Sequence, residues 1–191
     1  NVTAHYKLVN DIDFANGLIY NIGSEDEKFT GSFDGQNFVL KNIYLYDVAD
    51  YSSIFDYVGT SGVIKNVIIQ NIKISNGANV GGIVGINEGE VRNVKVGAIV
   101  EKVEDEALST ETEKVYKTVY SYDGISSISP YSSSSNVVAC GGIVGYNKGT
   151  VVNCDNYAVV APRNDNQEVR SGGIVGQNEG GTVKYSYNHN N

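Results

Sequence analysis

The chain has 191 residues, of which 41% are hydrophobic and 19% charged, and a formal net charge of −8. That length and apolar content suit one globular domain with its own core and argue against disorder. The acidity argues against a nucleic-acid partner, whose phosphates need clustered Lys and Arg, and no apolar run reaches the roughly 18–20 residues of a membrane-spanning helix.

The chain opens on Asn1 without the charged and apolar regions of a signal peptide, which reads as a processed or partial chain. Residues 6–45 run from "YKLVNDIDF" to "GSFDGQNFVLKNIYL" and end in a β-type stretch carrying Leu40, Asn42 and Ile43. The next such stretch, "SGVIKNVIIQNIKI" (61–74), carries Ile64, Asn66 and Val67 in the same order. A stronger phrase then appears three times: "GGIVGINEGEVRNV" at 81–94, "GGIVGYNKGTVVNC" at 141–154 and "GGIVGQNEGGTVKYS" at 172–186. Each copy has paired glycine positions (Gly82 and Gly85, Gly142 and Gly145, Gly173 and Gly176), an Asn-x-Gly turn and a β-type run. With Ile43, Val67, Val94, Cys154 and Ser186 as equivalents, the copies recur at roughly 24–32 residues, apart from one gap of about 60.

A mid-twenties period fits leucine-rich repeats or β-solenoids, and leucine is too rare here for the first. The apolar positions are mainly Val and Ile, whose branching at Cβ suits a pleated surface. One such coil cannot bury its own apolar face, whereas stacked coils can, each strand pairing with its equivalents above and below. The glycines serve corners that need positive φ and close backbone packing. In "EVRNVKV", Val91, Val94 and Val96 all face inward only if Asn93 makes a bend, and asparagine tolerates the left-handed region. Asn42, Asn66, Asn93 and Asn153 are therefore expected to bend the chain and to hydrogen-bond up the stack as a ladder. Tyr185 takes that place in the last copy and ends it.

The long gap defines an inserted surface segment, 101–137, between coils at 52–100 and 138–191, with 6–45 as N-terminal cap and first coil of a single 1–191 domain. "EKVEDEALSTETEKVYK" (101–117) is the best helix candidate in the chain, and "KVYKTVYSYDGISSIS" suggests a hairpin turning at "YDG". Tyr116, Tyr120, Tyr122 and Tyr131 stand here among many serines, the composition of adaptable recognition surfaces. They are the candidate binding residues, with a decorative loop as the plainer reading.

The phrase "GGIVGYNKGTVVNC" resembles the GLUG motif, a repeat of bacterial surface proteins, and 6–45 resembles the segment that commonly precedes such repeats. The motif occurs in large adhesin-like proteins and in the non-catalytic region of immunoglobulin-A-cleaving zinc metallopeptidases. The resemblance covers the chain apart from roughly 101–137. It implies an all-β, right-handed parallel β-helix of about five to six coils on an exported, extracellular or cell-surface bacterial protein. It brings no catalytic residues.

The residues themselves offer little chemistry. His5 and His189 lie in terminal segments without HExxH spacing, and the serines lack a nucleophile context. "GGIVG" leads into a strand instead of a helix, so it is no phosphate loop. Cys154 occupies the slot of Val94 and reads as a small buried hydrophobe, and a disulfide with Cys140 stays open. Outward candidates for a glycan-active site are Arg92, Lys95, Asp155 and Lys184, with Glu88, Glu90 and Glu179 in turns; Lys148 falls between Glu88 and Glu179, which reads as alternation on a solvated face. "DIDF" (11–14) and "SEDE" (24–27) are acidic enough for calcium but lack the spacing of a calcium loop, so no cofactor is expected. The leading expectation is a non-catalytic spacer or adhesive module that binds a host extracellular protein or glycan and adjoins neighbouring domains of a larger chain. The alternatives are a polysaccharide lyase or hydrolase on a β-helix and a substrate-positioning scaffold of a surface peptidase.

Overall fold

A computed structural model describes residues 1–17, 19–46, 52–132, 138–164 and 168–190; the remainder of the serine run that starts at Ser132 lies outside the described residues. Among the described residues there is no helix. Parallel strands stack as a β-solenoid of about 5 turns. One sheet runs along the stack through His5–Lys7, Ser32–Asp34, Val63–Asn76, Glu90–Val96, Thr150–Val152 and Thr182–Lys184. A second contains Phe55–Val58, Val84–Asn87, Val144–Asn147 and Val175–Asn178, and a third Asn79–Gly81, Val138–Gly141 and Val169–Gly172.

The register stacks like on like. Ile64 pairs with Val91 and Val91 with Val151; Val67 pairs with Val94; Val84 pairs with Val144. All of these are fully buried. Each such side chain contributes roughly 1.5–3 kcal/mol on full burial, so identical columns repeated coil after coil build a core no single coil has. At the N-terminal end aromatic rings enter the core, with the Phe29 and Phe33 centroids 5.1 and 5.5 Å from that of Phe55.

The bends fall on asparagine. Asn66, Asn93 and Asn153 have φ of 55°, 54° and 54°, and Val91, Val94 and Val96 are all buried, as the alternation break requires. The side chains form a ladder: Asn153 Nδ2 donates to Asn93 Oδ1 at 2.7 Å, and Asn93 Nδ2 to Asn66 Oδ1 at 2.9 Å. Asn66 Nδ2 donates in turn to Asp34 Oδ1 at 2.9 Å. Tyr185 takes the bend in the last coil, at φ 50°, and the ladder stops there. Asn42 does not belong to this column. It stacks on Asn71, at the second corner of the coil, in a separate ladder that runs Asn71 to Asn42 (2.6 Å) to Asp13 (2.8 Å). The segment 61–74 holds both corners, Asn66 and Asn71, and Leu40 and Ile43 pair with Ile69 and Ile72.

Both ladders end on a carboxylate, which accepts without having to donate. Partial burial pulls the Asp34 carboxyl upward, but hydrogen bonds from Asn66, Gln36 and Lys65 outweigh it and hold it well below the usual carboxylate range. A depressed native pKa stabilises the fold above the unfolded value of roughly 3.9 and loses that contribution as pH falls through it. The urea midpoint is therefore expected to drop on acidification below about pH 4, and to drop less steeply in Asp34→Asn, which keeps an acceptor for Asn66.

The paired glycines are not positive-φ residues. They are there because backbones pass too closely for a side chain. A Cβ on Gly142 would lie 2.1 Å from the Gly173 carbonyl oxygen, and one on Gly82 2.3 Å from that of Gly142. Gly85, Gly145, Gly173 and Gly176 are crowded by backbone or side-chain atoms in the same way.

The predicted helix at 101–117 is a β-hairpin. Ala98–Glu104 pairs antiparallel with Tyr116–Tyr122, from Ala98 opposite Tyr122 to Glu104 opposite Tyr116. The β-branched and aromatic residues of these strands, Ile99, Val100, Val103, Val119 and the three tyrosines, outweigh the helical preference of their Glu, Lys and Ala. "YDG" is not a hairpin turn. It leads Ser127–Ser132 back into the stack, parallel to Val63–Asn76 on one side and to Val159–Val160 and Arg163–Asn164 on the other.

Candidate functional site

The repeat uses its own polar groups. Asn87, Asn147 and Asn178, read from the sequence as turn residues, form a third ladder inside the stack: Asn87 Nδ2 donates to Asn147 Oδ1 at 2.8 Å and Asn147 Nδ2 to Asn178 Oδ1 at 2.7 Å. Asn87 and Asn147 are fully buried. Cys140 and Cys154 are free, buried thiols; desolvation pushes both up, Cys154 to about 11. They are packing groups, and the disulfide left open by the sequence is not formed. Asp13 caps the second ladder and receives the Ala15 N–H of its own turn, and Asp11 receives the Val39 N–H of the next coil, so both carboxylates of "DIDF" accept hydrogen bonds from the chain.

The turn acid Glu88 faces Lys28 and Tyr57. Tyr57 donates its hydroxyl to Glu88 Oε1 at 2.7 Å, Lys28 Nζ reaches Oε2 at 3.0 Å, and the same ammonium lies over the Tyr57 ring. Partial burial pulls the Glu88 carboxyl up, but these two donors bring it below its ordinary value. Arg92 pairs with Glu90 at 3.0 Å. Lys148 lies over its neighbour Tyr146.

What is not repeated is the hairpin, and its root is where side chains of different coils converge. Gly97, at φ 74°, turns the chain out of the stack. Asp123 closes the root: its backbone N–H bonds the Gly97 carbonyl, its Oδ2 accepts from the Asn71 N–H at 2.7 Å, and its Oδ1 accepts from the Ile125 and Ser126 N–H groups. The hairpin leans to one side. Ala98, Val100 and Tyr120 pack on Ile68, Val39 and Tyr157 of the solenoid.

Under that side lies an ion pair between Lys95 and Asp155, directly opposed on adjacent strands. The Lys95 ammonium sits 4.5 Å from the Tyr120 ring centroid. His189 Nε2 approaches Asp155 Oδ1 at 3.1 Å, and its ring stacks on Tyr157 at 4.3 Å. Burial raises the Tyr157 hydroxyl pKa, with the Asp155 carboxylate and Tyr120 adding to it. Both Asp155 oxygens are thus engaged, which suits a clamp that fixes the hairpin more than a free acid or base.

Of the four tyrosines singled out, Tyr116, Tyr120 and Tyr122 share one face of one hairpin strand, and Tyr131 lies apart on Ser127–Ser132 in the solenoid. Tyr116 is 60% exposed at the outer end. His189, Tyr157 and Tyr187 were not visible as members of the site. The signal was there in the register, since Asp155 stands beside Lys95 on one side and Tyr187 on the other.

The opposite side of the root is open. A cleft of about 380 Å³ is lined by Asn16, Ile43, Tyr44, Asn71, Lys73 and Ile125. Among the described residues no group of three or more His, Cys, Asp or Glu is placed to hold a metal ion.

No family model matches the chain, and no solved structure matches it. Among curated proteins it is 29% identical over 136 residues to halomucin of Haloquadratum walsbyi (strain DSM 16790 / HBSQ001). The match takes in 59% of this chain and 2% of halomucin, so the chain corresponds to a short stretch of a far longer relative.

Proposed function

We propose that this chain is a non-catalytic module of an exported surface protein, built from GLUG-type repeats, which spaces its neighbours and binds an extracellular protein or glycan at the hairpin root. One observation carries the reading: the thrice-repeated residues serve packing and ladders, whereas the unrepeated hairpin carries Tyr116, Tyr120 and Tyr122 along one face of one strand. Insertions of this kind are where solenoids carry binding surfaces. The Asp155 carboxylate, held by Lys95 and His189, supports recognition over hydrolysis, which needs two facing carboxyls with different protonation. The similarity to part of halomucin fits a repeat-bearing surface protein.

The test is binding to a glycan array and to a panel of extracellular matrix proteins. The intact domain is compared with a variant in which 97–126 is replaced by Tyr-Ala, the two-residue link the next coil uses between Asn156 and Val159. Binding by the intact domain and its loss in the folded variant are expected. Equal binding by both would move the site off the hairpin root.

A further inference from the structure

We propose that the open cleft beside the hairpin root binds an acidic saccharide, a hydroxylated ring bearing a carboxylate, through Lys73, Tyr44, Asn16 and Asn71. The proposal rests on the recognition reading above and names its ligand class.

In a chain with net charge −8, five basic side chains on the solenoid are neutralised by acids of other or neighbouring positions: Lys28 by Glu88, Lys41 by Asp13, Lys65 by Asp34, Arg92 by Glu90 and Lys95 by Asp155. Lys73 is exposed and has no ion pair among the described residues. It also lies in a cleft whose lining contains no carboxylate. Asp123, in the root, accepts from the N–H groups of Asn71, Ile125 and Ser126 and from the Ser126 hydroxyl. An anion entering the cleft meets an ammonium with no ion pair among the described residues and a lining without a carboxylate.

Tyr44 is the direct cross-strand partner of Lys73, so the two side chains leave the sheet on the same face from strands about 5 Å apart. It is 38% exposed, and its ring lies nearly parallel to that of Tyr46, with an interplanar angle of 6°. A sugar ring presents an apolar C–H face to such a platform and hydroxyls around its rim. Asn71 supplies an acceptor for them: its Nδ2 is held by Asn42, while its Oδ1 receives no hydrogen bond among the described residues. The Asn16 amide makes none among the described residues and adds donors and an acceptor. Ile125, 49% exposed, closes the wall from the hairpin root. The cleft of about 380 Å³ is the size of one to two sugar rings.

The experiment is calorimetric titration of the intact protein with trigalacturonate, with neutral galactotriose and with sodium acetate. Trigalacturonate is expected to bind, galactotriose at least tenfold more weakly, and acetate not to displace the trisaccharide at equal concentration. Lys73→Gln and Tyr44→Ala, both surface changes, are each expected to weaken trigalacturonate at least tenfold with thermal midpoints unchanged. No binding of trigalacturonate, or binding indifferent to both substitutions, overturns the proposal. Acetate competing equally would make the cleft a simple anion site and also overturns it. If the array finds a ligand lost with the hairpin but untouched by Lys73→Gln, the recognition reading stands and this assignment fails. If the array finds no ligand and trigalacturonate does not bind, both fail.

Discussion

Gly142→Ala is expected to destabilise the domain by about 3 kcal/mol or more, close to 10 °C in thermal midpoint for a chain of this size. The added methyl would lie 2.1 Å from the Gly173 carbonyl oxygen and 2.3 Å from Asn156 Cγ, and neither can retreat without parting two coils. Gly180→Ala is the control. Gly180 has φ 72° but nothing within 4 Å of an added Cβ, so the cost is the backbone preference alone, about 1 kcal/mol. Calorimetry of the two variants separates close packing from backbone conformation. A larger loss at Gly180 would show that conformation governs these glycines.

Asn147→Asp tests the inner ladder with almost no change of shape. Asn147 accepts from Asn87 and donates to Asn178 Oδ1 at 2.7 Å and to the Gly149 carbonyl at 3.2 Å. A carboxylate there loses both donors and sets negative oxygens against two acceptors in a site with no solvent exposure at residue 147. A loss of about 3 kcal/mol or more is expected at pH 7. Burial and the facing acceptors raise the native pKa of the new acid above its unfolded value, so the penalty exists while the group is ionised and shrinks as pH falls toward about 4. Asn153→Asp, in the outer ladder, places its charge in water and is expected to cost under about 1 kcal/mol. Urea unfolding of the pair across pH 4–7 distinguishes a buried hydrogen-bond column from residues chosen only for their turn.

The stack and its outer ladder were legible because alternation fails at Asn66, Asn93 and Asn153, and only a bend restores Val91, Val94 and Val96 to one side. Asn42 went to the wrong column because both corners of the coil carry asparagine within six residues of each other at 66 and 71, and order alone does not say which one a lone asparagine matches. The inner ladder was hidden behind local chemistry. In Asn87 the side-chain oxygen accepts from the Gly89 N–H, as in an ordinary turn, while its amide reaches the next coil. The hairpin was misread as helix because its strand pairing is antiparallel and lateral, unlike every repeat around it, and its Glu and Lys residues are good helix formers. The hairpin root was legible only in part: the repeat alignment sets Asp155 beside Lys95, but not that Tyr120 and His189 close on the pair. Lys95, Asp155 and His189 meet through the register of three coils, and the open cleft joins Asn16, Tyr44 and Asn71 to Ile125 from the far end of the insertion.

The central claim is that the repeat is a self-sufficient brick and the hairpin an attachment free to serve recognition. Thermal unfolding of the variant in which Tyr-Ala replaces 97–126 tests it most directly. The account predicts a β-rich circular dichroism spectrum and one cooperative transition within about 5 °C of the intact domain, because the buried columns Ile64–Val91–Val151 and Val84–Val144 are untouched. A chain that fails to fold, or that loses cooperativity, would make the insertion part of the core and would contradict it.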